Sequence, residues 1–303
     1  MKRSLAIALS AAAVLMGLTA CSNPELDDTE QQSGSQDVVT AVERDDEIAA
    51  MLPDSYKDKG FTAAINANIP PVKFVDDSGD ITGLNPELLR AAARVLGIEV
   101  SFKEVTFDAL VPGLESKRYD VIASVGDYVE RQTHIDFIDY LQNGTAIIAS
   151  ADFEKDQVEP ADLCGLSIGY TRGTSQQANL EAANKECAAA GEPAIKINAY
   201  QDGGAGVLSV KSGEADGFWG DLPPMAYNVR TDSDMFKLIY TEQDSVVGIG
   251  IHKDNAEFRD ALRAALLKLV DNGVYDKLLD QWGLADFGVP TMDINSENSI
   301  GEG

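Results

Sequence analysis

Strand and helix signals alternate along this chain from Gly60 to Leu284, and that alternation constrains the fold more than any other feature. Alternating or continuous apolar runs read as strands at "FTAAINAN", "IEVSFKEV", "YDVIASV", "LCGLSIGY", "AIKINAY", "ADGFWGD" and "SVVGIGIH". Helical patterns lie between them at "NPELLRAAARVLG", "FDALVPGLESKR", "TSQQANLEAANKECAAAG" and "GAGVLSVKSGE". Two more close the pattern, "AEFRDALRAALLKLVDNG" and "VYDKLLDQWG". In the first, Asn85 reads as the cap, Pro86 as the first turn, and Gly97 as the stop. Thr174 or Ser175 reads as the cap of the third. Such a pattern argues an α/β architecture.

Both ends differ from this middle. Met1-Lys2-Arg3 and the apolar run from Leu5 to Gly17 read as an export signal, too short for a comfortable membrane span. "LTAC" closes it and resembles the lipobox of bacterial lipoproteins. That resemblance implies cleavage after residue 20 and acylation of Cys21, which would hold the protein on the extracytoplasmic face of the cell membrane. A plain secretory signal is the alternative. Residues 21–55 are polar, acidic and almost free of aromatics, and read as a flexible tether. Residues 289–303 read as a loose tail. Cys164 and Cys187 remain as an even pair in an oxidising compartment, and a disulfide between them is expected. Two buried free thiols are the alternative.

Charge narrows the function. Among 303 residues, 24 Lys and Arg stand against 50 Asp and Glu, a net charge of −26. That field repels phosphate backbones and argues against nucleic-acid binding. His134 and His252 are the two histidines and belong to no ligand-spaced cluster, so neither a metal nor a cofactor is expected. The glycine-rich "DGGAGVLSVKSG" fits neither dinucleotide nor P-loop spacing, and no Gly-x-Ser-x-Gly elbow occurs.

Five ordered segments carry a family resemblance: "FDALVPGLESKRYDVIAS", "ERQTHIDFIDYL", "ADLCGLSIGYTRGTS", "SGEADGFWGD" and "NGVYDKLLDQWGL". Together they resemble the extracytoplasmic solute-binding proteins of ABC importers, in the polar amino acid (family 3) group. The resemblance implies a two-lobed, periplasmic-binding-protein-like type II fold with two hinge-crossing strands. Lobe 1 would be 56–140 and 247–288, lobe 2 would be 145–241, and the hinge 141–144 and 242–246. It implies a monomer that captures an amino acid or related small zwitterion and hands it to permease subunits, without catalysis. A cyclohexadienyl-dehydratase-like enzyme on the same fold is the rival.

The same resemblance assigns the ligand contacts. Arg131 would grip the ligand's α-carboxylate through its planar fork of donors; a surface ion pair with Asp127 is the alternative. Asp221 would hold the α-ammonium, unless it merely caps the helix after it. Thr174 and Ser175, at a helix start, would add donors to the carboxylate. Phe107 and Ile69 would bound the side-chain pocket. Gly126 and Tyr128 stand where the family usually carries threonines, and Trp219 would line the lobe 2 side. Asp216, five residues before Asp221, reads as structural.

Overall fold

The structure is a computed structural model in which residues 38–296 are described. The export signal, Cys21 and the chain as far as residue 37 lie outside the described residues, as does 297–303. No helix among the described residues is long and apolar enough to cross a membrane.

The strands are β1 (Phe61–Ile65), β2 (Asn68–Ile69), β3 (Lys73–Val75), β4 (Ile81–Thr82), β5 (Val100–Glu104), β6 (Val121–Gly126), β7 (Ile135–Ser150), β8 (Ser167–Thr171), β9 (Lys196–Tyr200), β10 (Gly217–Asp221) and β11 (Phe236–His252). Eight of them form one ladder in the order β5-β1-β6-β11-β7-β10-β8-β9, while β2, β3 and β4 make a small antiparallel sheet. β7 and β11 are the long members, at 16 and 17 residues. Their first and second halves serve different lobes: β11 pairs with β6 through Val247–Ile251, and β7 pairs with β10 through Thr145–Ala149. Two α/β lobes are therefore joined by two antiparallel strands.

The hinge has a definite irregularity. Asn143 pairs with Ser245 and Thr145 with Glu242, so Gly144 alone faces both Gln243 and Asp244. This two-against-one arrangement is a β-bulge, which bends and twists the strand that carries it. A Cβ on Gly144 would stand 2.0 Å from the Glu242 carbonyl oxygen and 2.6 Å from the Gln243 Cα. Only glycine allows this approach.

Each lobe has its own apolar core. In lobe 1, the Leu84–Leu96 and Ala256–Asp271 helices pack Leu88, Leu89, Leu262 and Leu266 against β1, β6 and β11. In lobe 2, Leu180 and Ala183 of the Gln176–Ala190 helix cover Ile147, Ile168 and Trp219. Cys187 on that helix is bonded to Cys164, stapling it to the loop before β8. A helix over Leu222–Thr231 follows β10, with Pro223 and Pro224 in its first turn, where a missing N–H is harmless.

Three local expectations need correction. Asn85 does not cap the Leu84–Leu96 helix: Gly83 precedes it, and the buried Asn85 amide donates to the Tyr140 hydroxyl. The tether does not extend to residue 55. From Val38 onward the chain is docked on lobe 1, with Val39, Val42 and Leu52 in its core and Arg94 donating to the carbonyls of Val42 (2.9 Å) and Thr40 (2.7 Å). Spaced valines and a leucine supply enough apolar area here, although the stretch is acidic on average. Nor is the segment after residue 288 loose as far as Ser296. Met292 is fully buried, and Ile294 bridges Ile138 across from β7.

Candidate functional site

A cavity lies between the lobes. Lobe 1 lines it with Asn66, Asn68, Ile69, Lys73 and Phe107; lobe 2 faces them with Thr171, Thr174, Gln176, Trp219 and Asp221, among others. The free space at its centre is about 40 Å³. That is on the order of a few water molecules, so an amino acid enters only when the lobes part or lining side chains move.

The lobes meet at several points around this cavity. The Tyr128 and Ser175 hydroxyls are 2.9 Å apart, one from each lobe. Ile69 presses its Cδ1 against Gly203, where any Cβ would come within 2.4 Å of it. On another side, Arg230 of lobe 2 donates to the Gly283 carbonyl at 2.8 Å. This is a closed arrangement.

Charge is concentrated on two lining residues. Lys73, 4% exposed, extends from β3 and donates to the Ser124 carbonyl at 3.1 Å, with its Nζ 5.5 Å from the centre of the Phe107 ring. Burial pushes its pKa down to about 8, and the attraction of Asp221 only partly offsets that. Asp221 ends β10 on the opposite wall. Burial raises its pKa; the charge of Lys73, hydrogen bonds from Asn143 and Gln176, and the charge of Arg131 pull it back. The Gln176 Nε2–Asp221 Oδ1 distance is 3.3 Å. Asp221 makes no capping bond to the helix that follows it.

Arg131 opens a short 3₁₀ turn after β6. Its guanidinium lies over the Tyr128 ring at 4.7 Å and donates to the Gly126 carbonyl at 3.2 Å. It is not among the residues lining the cavity, yet its charge still acts on Asp221.

Residues 61–285 match the bacterial extracellular solute-binding proteins, family 3. The chain belongs to that family. The family 3 protein is 28% identical over 293 residues to the arginine-binding protein ArgT of Corynebacterium glutamicum, covering 94% of this chain and 93% of that one. It is 25% identical to the L-cystine-binding protein TcyA of Bacillus subtilis, over 75% of this chain and 83% of that one. A solved ancestral arginine-binding protein with arginine bound superposes with a TM-score of 0.65 at 25% identity, covering 73% of this chain and 97% of that one. These relatives are binding proteins by name, and the two-lobed type II fold is common to them.

In this family 3 protein, Asp221, Thr174, Phe107, Ile69 and Trp219 line the cavity. Arg131, Gly126, Tyr128 and Ser175 are grouped beside it. The space that a side chain would take at Gly126 is filled by the Tyr128 ring, 2.6 Å from where a Cβ would be. Neither hydroxyl at the start of the Gln176–Ala190 helix caps it. Thr174 donates to the Thr171 carbonyl at 2.7 Å, and Ser175 meets Tyr128. Trp219 directs its indole N–H to the Thr145 hydroxyl. Asp216 has a structural role, accepting from the Ser167 backbone at 2.7 Å. Three functional candidates escaped the sequence: Lys73, Asn66 and Gln176. A lysine in the apolar run "PPVKF" was the available signal, since lysine is almost never fully buried without a purpose.

Proposed function

We propose that the chain is the substrate-binding component of an ABC importer. It captures an amino acid or related small zwitterion between its lobes and delivers it to the permease subunits. The observation that carries this is a cavity with a carboxylate, Asp221, on lobe 2 and a cation, Lys73, on lobe 1, with the charge of Arg131 acting on Asp221 from beside it. A zwitterion satisfies both walls only when they come together, so ligand charge drives closure. Relatives named for arginine and cystine support the amino-acid class. In this reading Cys21 carries the acyl anchor and the protein works as a monomer at the outer face of the membrane.

A thermal-shift screen against the twenty amino acids, L-cystine and small amines tests it. A ligand present at about a hundred times its Kd stabilises by about 2.7 kcal/mol, a readily measured rise. Arg131→Ala and Asp221→Asn each reduce that rise. Absence of a shift with every compound, or steady turnover of prephenate or arogenate, overturns the proposal.

A further inference from the structure

Resting on the reading of the cleft as an amino-acid site, we propose that Lys73 is a ligand-binding residue that selects amino acids bearing a second carboxylate. Lys73 is a buried cation aimed into the cavity. Its polar contacts are a neutral carbonyl, that of Ser124, and the face of Phe107. No carboxylate of the described residues lies within ion-pair distance of it. Ser124 itself is held in the left-handed region, with φ at 56°, where a non-glycine residue is strained. The site therefore keeps its lysine desolvated, against a carbonyl whose own residue is held in a strained conformation. A buried cation without an anionic partner is costly, and a ligand carboxylate removes that penalty.

Charge counting identifies the ligand class. Among the described residues lining the cavity, Lys73 is the single cation and Asp221 the single carboxylate. An α-ammonium takes Asp221, and an α-carboxylate turns toward Arg131. Lys73 then still faces the space over Phe107, which in this reading receives the side chain of the amino acid. A carboxylate there completes a charge-assisted pair. A guanidinium or ammonium there meets a second cation. Neighbouring acids do not relieve it: Asp202 accepts from the Ala205 backbone, Asp108 accepts from the Thr106 hydroxyl, and neither lines the cavity. Asp221 cannot serve both the α-ammonium and a distant side-chain cation. The chemistry thus favours a dicarboxylic amino acid such as glutamate or aspartate over arginine or lysine.

The test is a calorimetric comparison of L-glutamate and L-aspartate with L-glutamine, L-asparagine, L-arginine and L-lysine on the protein. One of the diacids is expected to bind at least about tenfold more tightly than the amides and the basic amino acids, the scale of one charge-assisted hydrogen bond. Lys73→Met should collapse the acid-over-amide ratio toward one, and Lys73→Arg should preserve it. The ratio should also hold below about pH 8 and decline above it, as Lys73 loses its proton. Asp221 is the charged group whose field acts on Lys73, and titration of the ligand's own ammonium is shared by acid and amide. Tightest binding by arginine, lysine or a neutral amide overturns the role of Lys73 and leaves the amino-acid reading standing. Failure of all six to bind overturns that reading, and this inference with it. Should Lys73→Met fail to fold, the wild-type ranking and Lys73→Arg decide.

Discussion

Gly144 offers the sharpest perturbation. In Gly144→Ala the new Cβ would lie 2.0 Å from the Glu242 carbonyl oxygen, about 1.4 Å short of ordinary contact, and the atom in its way is backbone. No rotamer change relieves this. β7 and β11 must part at the hinge, and the bulge opposite Gly144 leaves Gln243 and Asp244 little room to retreat. Overpacking of this kind costs about 1–3 kcal/mol. Restricting the unfolded chain returns about 0.4–1 kcal/mol, so the clash wins by roughly 1–2 kcal/mol. For a domain of this size that is a fall in Tm of about 2–8 °C, measured by circular dichroism on heating. Ligand affinity should fall as well, since splayed hinge strands change the rest angle of the lobes. A variant as stable as the parent refutes the close approach of the two strands.

Other consequences are equally open to measurement. Leu52→Ala should lower stability by about 2–3 kcal/mol in urea unfolding, as a core truncation does, because Leu52 is buried against lobe 1; a free tether would show no change. Replacing Cys164 and Cys187 by serine opens a loop of 23 residues and should cost about 3 kcal/mol in the chain-entropy description. A loss under 1 kcal/mol in the same urea assay would count against it. Asp139, buried beside Asp127, has its pKa pushed up to about 7, first by burial and then by its neighbour's charge. The folded state holds this proton where the unfolded one has released it, so stability falls as pH rises from about 4 to about 7. Asp139→Asn should flatten that slope and be the more stable form at pH 8; an unchanged slope would remove Asp139 as its source.

The α/β alternation was legible because each element carried its own periodicity, while the two-lobed plan came from the family resemblance. The strands before and after the hinge, the Gly97 and Gly191 helix stops, and the cysteine pair needed no long-range information. The departures share a cause: each depends on a partner far away in sequence. Val39, Val42 and Leu52 look too sparse to fold until the groove beside the Leu84–Leu96 helix is present to receive them. Ser175 looks like a cap until Tyr128 arrives from the other lobe. Lys73 was the most telling omission. In sequence it interrupts an apolar strand, and only the closed cleft shows what it faces: the Ser124 carbonyl, the Phe107 ring and, across the gap, Asp221.

The strip after residue 288 has a consequence beyond the single molecule. The first half of β7 has β11 on one side, while on the other side β10 reaches only its second half. Gly288 and Ile294 bridge Leu141 and Ile138 there, and the Asp139 amide donates to the Asp293 carbonyl at 2.9 Å. Without this strip, Ile135–Leu141 would present open amides and carbonyls beside an apolar surface, a template for zippering onto another copy. In this protein that border is sewn shut by residues 288–295 of the same chain.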